Sequence, residues 1–313
     1  MSAETIIREY RPGTSDAESV LRVRRLLLPF NLTTAESVET GVTRAHPDSE
    51  YRLVLAEDGG SGEVAGVLRV GIDHQATEPG HAFAGVLVPP GHRRRGIGSA
   101  LLRYAEEYVS GLGAVTLRVW ALDEQGRAFA KKRGWALTGH SLHFLGLDLT
   151  AGGLPGPPPL PAGFVLRDTV SLGDDPRALY EADAEVVQDE PNSVQVVLDD
   201  YEDWLAHDWN DPLHVPGLST VAVAPDGRIA AFTTAHADDD SRYKSGMTGV
   251  RRDFRGLGLA KAVKVHSLRK ARAAGFRLAI TSNDDANGPM RAVNTWFGYE
   301  HGTTEVEYVR SLG

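Results

Sequence analysis

"DFRGLGLAKAVK", residues 253–264, sets two glycines, an arginine and two lysines at the opening of a long helix, and "GHRRRGIGSALL", residues 91–102, repeats the arrangement in the first half of the chain. In each copy a strand runs into Arg-x-x-Gly-x-Gly or Arg-x-x-Gly-x-Ala and then into an amphipathic helix. That order gathers unpaired backbone N–H groups in front of a positive helix end, which makes an anion site. Glycine removes the Cβ so that phosphate oxygens can approach, and the neighbouring arginines and lysines add charge. Neither copy is a P-loop, which needs Gly-x4-Gly-Lys-Ser/Thr. A dinucleotide-binding fold would place its glycines after the first strand, whereas these follow the fourth.

Working outward, the same order of elements stands on both sides of "TAGGLPGPPPLPAG", residues 150–163, whose glycines and prolines continue neither helix nor ladder and favour a semi-stiff connector. The first half reads as a strand at "TIIREYRP", a helix from Asp16 to Phe30 capped by Asp16, and a helix opening at Thr33 or Thr34. Three strands follow, then the glycine loop and a helix with apolar Ile97, Leu101, Ala105, Tyr108 and Leu112 at three- and four-residue spacing. A strand, a short helix ending at Gly134 and closing strands complete it. The second half repeats the series, with Gly298 in the place of Gly134. The expected division is 1–150, a linker at 151–163, and 164–313.

The chain has 313 residues, 42% of them hydrophobic, enough for two cores. It has no cysteine, which removes disulfides, thiol nucleophiles and thiolate metal sites and fits a reducing compartment. No leader with an apolar core opens it and no window is apolar enough to span a bilayer, so a cytoplasmic protein without membrane attachment is expected. A net charge of −9 argues against a nucleic-acid partner. Most of the excess is local: from Asp168 to Asp211 there are fourteen acids and the single base Arg177. Such a stretch projects a negative potential.

The order strand, paired helices, three antiparallel strands, Arg-x-x-Gly-x-Gly/Ala helix, strand, and helix ending in Gly plus an aromatic resembles the GNAT acyltransferase superfamily, and the duplication resembles its tandem members. The second half is the more specific match, through "TGVRRDFRGLGLAKAVK" and "TSNDDANGPMRAVNTWFGY". The resemblance implies an α/β (α+β) fold of two tandem domains, each a mixed, mostly antiparallel sheet flanked by helices. It implies acetyl-CoA as the acyl donor, its pyrophosphate held by Arg93, Arg94, Arg95, Gly96, Gly98 and Ser99 in one half and by Arg255, Gly256, Leu257, Gly258, Ala260 and Lys261 in the other. The pantetheine arm would follow Val86 and Val88, or Met247, Thr248 and Val250, with Asn287 nearby as a helix N-cap that can also bond the arm.

Acyl transfer to an amine needs a neutral nitrogen, a stabilised oxyanion and a leaving group that is readily protonated. The tyrosine that many superfamily members carry four residues before the glycine is replaced by Asn294 and Ala130. Asn294 can bond the sulfur but has no proton of matched pKa to give. Glu305 and Glu307 on the closing strand, His236 at a strand end, and Asp189 or Glu190 after the first acidic helix are the candidates for a base. No metal-ligand spacing is present, "HADDDSR" (236–242) included, and no metal is expected. The acidic helices of the second half would wall the acceptor site, which points to a small cationic amine. The expectation is an N-acetyltransferase, monomer or homodimer, with the second domain active and the first a degenerate copy that still holds CoA. The competing readings are a non-catalytic acyl-CoA-binding scaffold and a nucleotide-binding protein.

Overall fold

The computed structural model describes residues 5–313; residues 1–4, part of the opening read for a leader, lie outside it. The chain forms two compact units. The first contains residues 5–142, 193–195 and 304–313, and the second 143–192 and 196–303. No helix among the described residues is long and apolar enough to cross a membrane.

In the first unit β1 (Thr5–Glu9), α1 (Asp16–Leu27) and α2 (Ala35–Thr43) precede three antiparallel strands, β2 (Arg52–Asp58), β3 (Val64–Ile72) and β4 (His81–Leu87). Then come α3 (Ile97–Gly111), β5 (Thr116–Ala121), α4 (Glu124–Lys132) and the start of β6 (Ala136–Asp148). Helix α2 opens on a complete capping box between Thr34 and Ser37. Helix α1 does not start as expected: Ser15 is its cap, without a side-chain bond, and the helix stops at Leu27. Asp16 instead accepts from both guanidinium ends of Arg8 and from the N–H of Arg11, and this holds its carboxyl below the usual range. The apolar stripe of α3 is Ile97, Leu101, Ala105 and Val109, all buried; Leu112 is exposed. Ile97, Leu101 and Val109 each contribute roughly 1.5–3 kcal/mol on burial, which fixes the helix on the sheet.

The second unit repeats the plan with β7 (Val165–Asp168), α5 (Arg177–Val187), the one-turn helix α6 (Tyr201–Trp204), β8 (Thr220–Val223), β9 (Ile229–Ala237), β10 (Arg242–Val250), α7 (Leu259–Ala273), β11 (Leu278–Asp284) and α8 (Gly288–Phe297). The π-turn Leu205–Trp209 extends α6.

In each unit one parallel pair interrupts the antiparallel sheet, and it is short. β4 and β5 pair from His81↔Thr116 to Ala84↔Val119, and β10 and β11 from Arg242↔Leu278 to Lys244↔Ile280. Beyond those residues the two strands of each pair part. The other edge of β5 takes β12 (Glu300–Ser311), from Val306↔Ala121 to Ser311↔Thr116, while β6 lies beside β11.

This departs from the division read at 150 and 164. Residues from Thr304 onward belong to the first unit and residues from His143 to the second, so the closing strands are exchanged. An open strand edge leaves N–H and C=O groups unpaired, and either closing strand satisfies them. What fixes the choice for β5 includes side chains: Tyr308 of β12 is buried in the cluster of Leu101, Ala105 and Leu117.

Candidate active site

The first unit's glycine loop opens a helix that nothing caps. Gly96 sits at the N-cap position with φ 87° and Arg94 is left-handed at φ 64°; no side chain caps the helix, which leaves the first-turn N–H groups pointing outward. The glycine is required by its backbone angle rather than by space, because a Cβ on Gly96 would meet nothing within 4 Å. Gly98 has ordinary room for a Cβ, in agreement with Ala260 at the same place in the second unit.

Where β4 and β5 part, a cleft of about 610 Å³ opens. Val86 and Val88 line it from the strand, and Arg93, Arg94, Gly96, Gly98 and Ser99 from the loop. Arg95 turns away to Asp58. Arg93 donates from Nε to the Val88 carbonyl at 3.0 Å and reaches Asp123 and Gln125 at 2.9 Å, so it braces strand, loop and α4 together. Two cations missed from the sequence also line the cleft, Lys132 and Arg133. Arg133 stacks on Phe129 at 3.6 Å and bonds Ser99 Oγ at 2.6 Å. The run "KKRG" at the end of α4 was the available signal. The inner wall is apolar: Leu102, Ala121, Ala130 and Trp135. A cationic mouth, free amides and an apolar throat fit a diphosphate carried on a thin organic arm.

The second unit repeats the loop and changes the lining. Gly256 and Gly258 are left-handed, at φ 79° and 75°, and no side chain caps α7. Arg255 donates to the Val250 carbonyl at 3.2 Å, the same brace. Asp189 holds Arg252 at 2.9 Å and also pairs with Arg255, while Glu185 holds Arg251 at 2.7 Å. The bond from Arg252, then that from Arg255, lowers Asp189 to about 2, so it is a poor candidate for a base and a good clamp on the loop cations. Leu257 is exposed, and Lys261 rests 4.6 Å from the centre of the Trp296 ring. Thr248 bonds Thr233 at 2.8 Å beside a bulge in β10 between Ser245 and Thr248, and Met247 packs on the aromatic cluster of α5 and α6. Asn287 caps α8 by accepting from the Met290 N–H at 3.2 Å.

Behind the loop, Lys264, Asn283, Asn294 and Tyr299 occupy the register positions of Leu102, Ala121, Ala130 and Trp135. All four are buried. Asn294 donates to Asn283 Oδ1, while its own Oδ1 and the Tyr299 hydroxyl are buried without a hydrogen-bond partner. A buried polar atom left unpaired costs roughly 1–3 kcal/mol unless something enters to pair it.

The other candidates for a base separate. Glu307 stands in the first unit, opposite Trp120 on β5, because the closing strands are exchanged. It is fully buried, accepts from Arg118 at 3.1 Å, and shares that arginine with Asp73. His236 lies in the second unit, its ring 5.7 Å from that of His214. Burial, then the neighbouring His214 and Lys244, lowers it to about 3, so it stays neutral near pH 7 and accepts a proton poorly there. Glu190 is pushed up by burial and by Asp284.

The acidic stretch proves only partly solvated. Asp183 is buried, accepts from Trp204 Nε1 at 2.9 Å, and is raised by burial to about 7. Asp208 is raised to about 6, again by burial first and with Asp203 and Asp211 adding to it. Trp204 is core, stacked between Tyr201 and Trp209.

The profile of the acetyltransferase (GNAT) family matches twice, at residues 20–135 and 180–299. Among curated relatives, the mycothiol acetyltransferase of Kineococcus radiotolerans is 33% identical over 238 residues, 73% of each chain. That of Nocardiopsis dassonvillei is 30% identical over 297 residues, covering 85% of this chain and 84% of its own. Among solved structures, a tandem GNAT protein from the clavulanic acid biosynthesis pathway superposes with a TM-score of 0.74 at 22% identity over 99% of both chains. A GCN5-related N-acetyltransferase from Sphaerobacter thermophilus gives 0.71 at 22% identity, covering 98% of this chain and 96% of its own.

Proposed function

Since this chain belongs to the GNAT acetyltransferase family and is an N-acetyltransferase that uses acetyl-CoA, we propose that it moves the acetyl group by direct transfer to the amine of a small cationic acceptor, in the second unit, while the first unit holds acetyl-CoA without turning it over. The observation that carries this reading is the lining. Loop and helix opening are alike in the two units, but of Leu102, Ala121, Ala130 and Trp135 in the first only the unpaired indole N–H of Trp135 can hydrogen-bond, whereas Lys264, Asn283, Asn294 and Tyr299 all carry polar groups that could act where charge moves. The name of the curated relatives supports a small-molecule acceptor. The carboxylates open to solvent in the acidic stretch, Glu190 and Asp208, with half-buried Asp211, support a positive charge on it. Desolvation raises each of them first, with neighbouring acids adding to Glu190 and Asp208, and an ammonium entering among them would favour their charged forms.

The test compares Gly96→Glu with Gly258→Glu, each of which puts a carboxylate and a Cβ at a left-handed position facing the diphosphate. Calorimetry with CoA is expected to fall from two sites to one in either variant. Acetylation of a polyamine is expected to fall at least about 100-fold in Gly258→Glu and to stay within about threefold in Gly96→Glu. The opposite pattern would assign the transfer to the first unit, and CoA binding without acetylation of any amine would favour the scaffold.

A further inference from the structure

We infer that Lys264 is the proton-exchanging residue of the second unit, facing the acyl end of its cleft from α7. The inference rests on the reading that this unit performs the transfer. Its first support is register. Leu102, Ala130 and Trp135 all line the cleft of the first unit, and the residues in their places are Lys264, Asn294 and Tyr299.

The second support is that Lys264 is out of place as a structural residue. It is 1% exposed, and among the described residues no carboxylate pairs with it and nothing accepts a hydrogen bond from its Nζ, which lies 5.7 Å from the centre of the Tyr299 ring. A buried ammonium without an anion is destabilising, and the leucine of the first unit shows that an apolar side chain fits the same position. The Tyr299 hydroxyl and Asn294 Oδ1 are buried and unpaired as well. These two unpaired atoms, at positions matching the cleft lining of the first unit, mark a place that a ligand's polar atoms complete.

The surroundings leave Lys264 as the one group of the set that changes charge near neutrality. Tyr299 faces it, and Tyr243 is coupled to Tyr299; burial raises both hydroxyls, so they stay protonated. Tyr243 is further engaged with Ser267 at 2.6 Å and with Ser245 at 3.4 Å. Asn283 and Asn294 do not titrate. Burial alone lowers Lys264 to about 7.

The step balances without another reagent. The acceptor's neutral nitrogen bonds the thioester carbon and the C–S bond breaks. The ammonium at Nζ gives one proton to the departing sulfur, and the neutral amine left behind takes the proton that the new amide nitrogen sheds. CoA leaves as the thiol and Lys264 ends as it began.

The test reads the lysine directly. In protein labelled with 13C-lysine, with the Lys264 signal assigned by its loss in Lys264→Met, CoA is expected to raise the titration midpoint by about one pH unit, because a thiolate beside the ammonium favours its charged form. Desulfo-CoA, which lacks the sulfur, is expected not to. Equal effects of the two compounds would overturn the inference, and this arm needs only the wild-type fold. Lys264→Met and Lys264→Arg are both expected to lower kcat about 100-fold or more with the KM for acetyl-CoA within about threefold, since neither side chain can exchange a proton near pH 7. Wild-type kcat and pH profile in Lys264→Met, with Gly258→Glu inactive, would sink the role of Lys264 and leave the second unit as the transfer site. An active Gly258→Glu would sink the reading beneath it.

Discussion

The two units share one backbone device and differ in what lies behind it. Both glycine loops turn through left-handed residues into an uncapped helix, and both brace an arginine on the carbonyl of the preceding strand. In the first unit a mostly apolar cleft lies behind the loop; in the second the matching positions hold the buried polar residues Lys264, Asn283, Asn294 and Tyr299. On the proposed function, gripping a diphosphate and reacting its thioester would make separate demands on the sequence. Backbone amides do the first, and any side chain compatible with the turn will serve. The second depends on a few inward positions, so one copy can keep the grip after losing the chemistry.

Tyr308 is carried by the second half of the sequence yet packs in the core of the first unit. Tyr308→Ala is expected to cost about 3–5 kcal/mol. Thermal unfolding with hydrogen exchange should show the loss in β3, β5 and α3 while α7 keeps its protection. Equal loss in both units would mean that they unfold as one.

Next is the pH dependence of stability. Lys264 titrates near 7 when folded, against about 10.5 in a free chain. Between those values the unfolded chain binds a proton that the native chain does not, so this residue makes stability rise with pH across that window and lowers it at pH 7 and below. At about 1.36 kcal/mol per pH unit the shift from 10.5 to about 7 amounts to roughly 5 kcal/mol. Urea midpoints at pH 6.5, 8 and 9.5 should therefore climb more steeply in the wild type than in Lys264→Met, which should be the more stable protein at pH 6.5. Leu102→Lys in the first unit should install the same slope.

The smallest effect concerns the mouth of the second cleft. Asp189 neutralises Arg252 and Arg255, and Asp189→Asn frees both for phosphate. CoA is expected to bind the second unit about two- to fivefold more tightly in low salt, an advantage that 0.5 M salt removes because the groups are exposed. Unchanged affinity would mean that these arginines do not face the diphosphate.

Much of this was legible in the chain itself because it depends on neighbours in sequence. Glycines at left-handed positions, the Thr34 and Asn287 caps, the stripe of α3 and the duplicated order of elements are all settled within a few residues. Of the residues the sequence singles out, Val86, Val88 and the first loop line the cleft of the first unit, where backbone sets their place. Side chains were less legible. Asp16 read as a cap and is a clamp on Arg8, since Arg8 arrives from another strand. A lysine on a helix is ordinarily a solvated charge, but Lys264 is buried because α7 buries a wider face than its sequence pattern shows.

Sequence alone settles that the chain is a tandem repeat with two glycine-led, uncapped helix openings, because turns, caps and periodicity are local properties of the backbone. Only the tertiary structure decided which closing strand completes which sheet, placing Glu307 in the first unit, and which polar residues point inward in the second. Strand edges accept any partner of matching register, and burial is set by everything that packs around a residue, so neither can be read from a stretch of sequence alone.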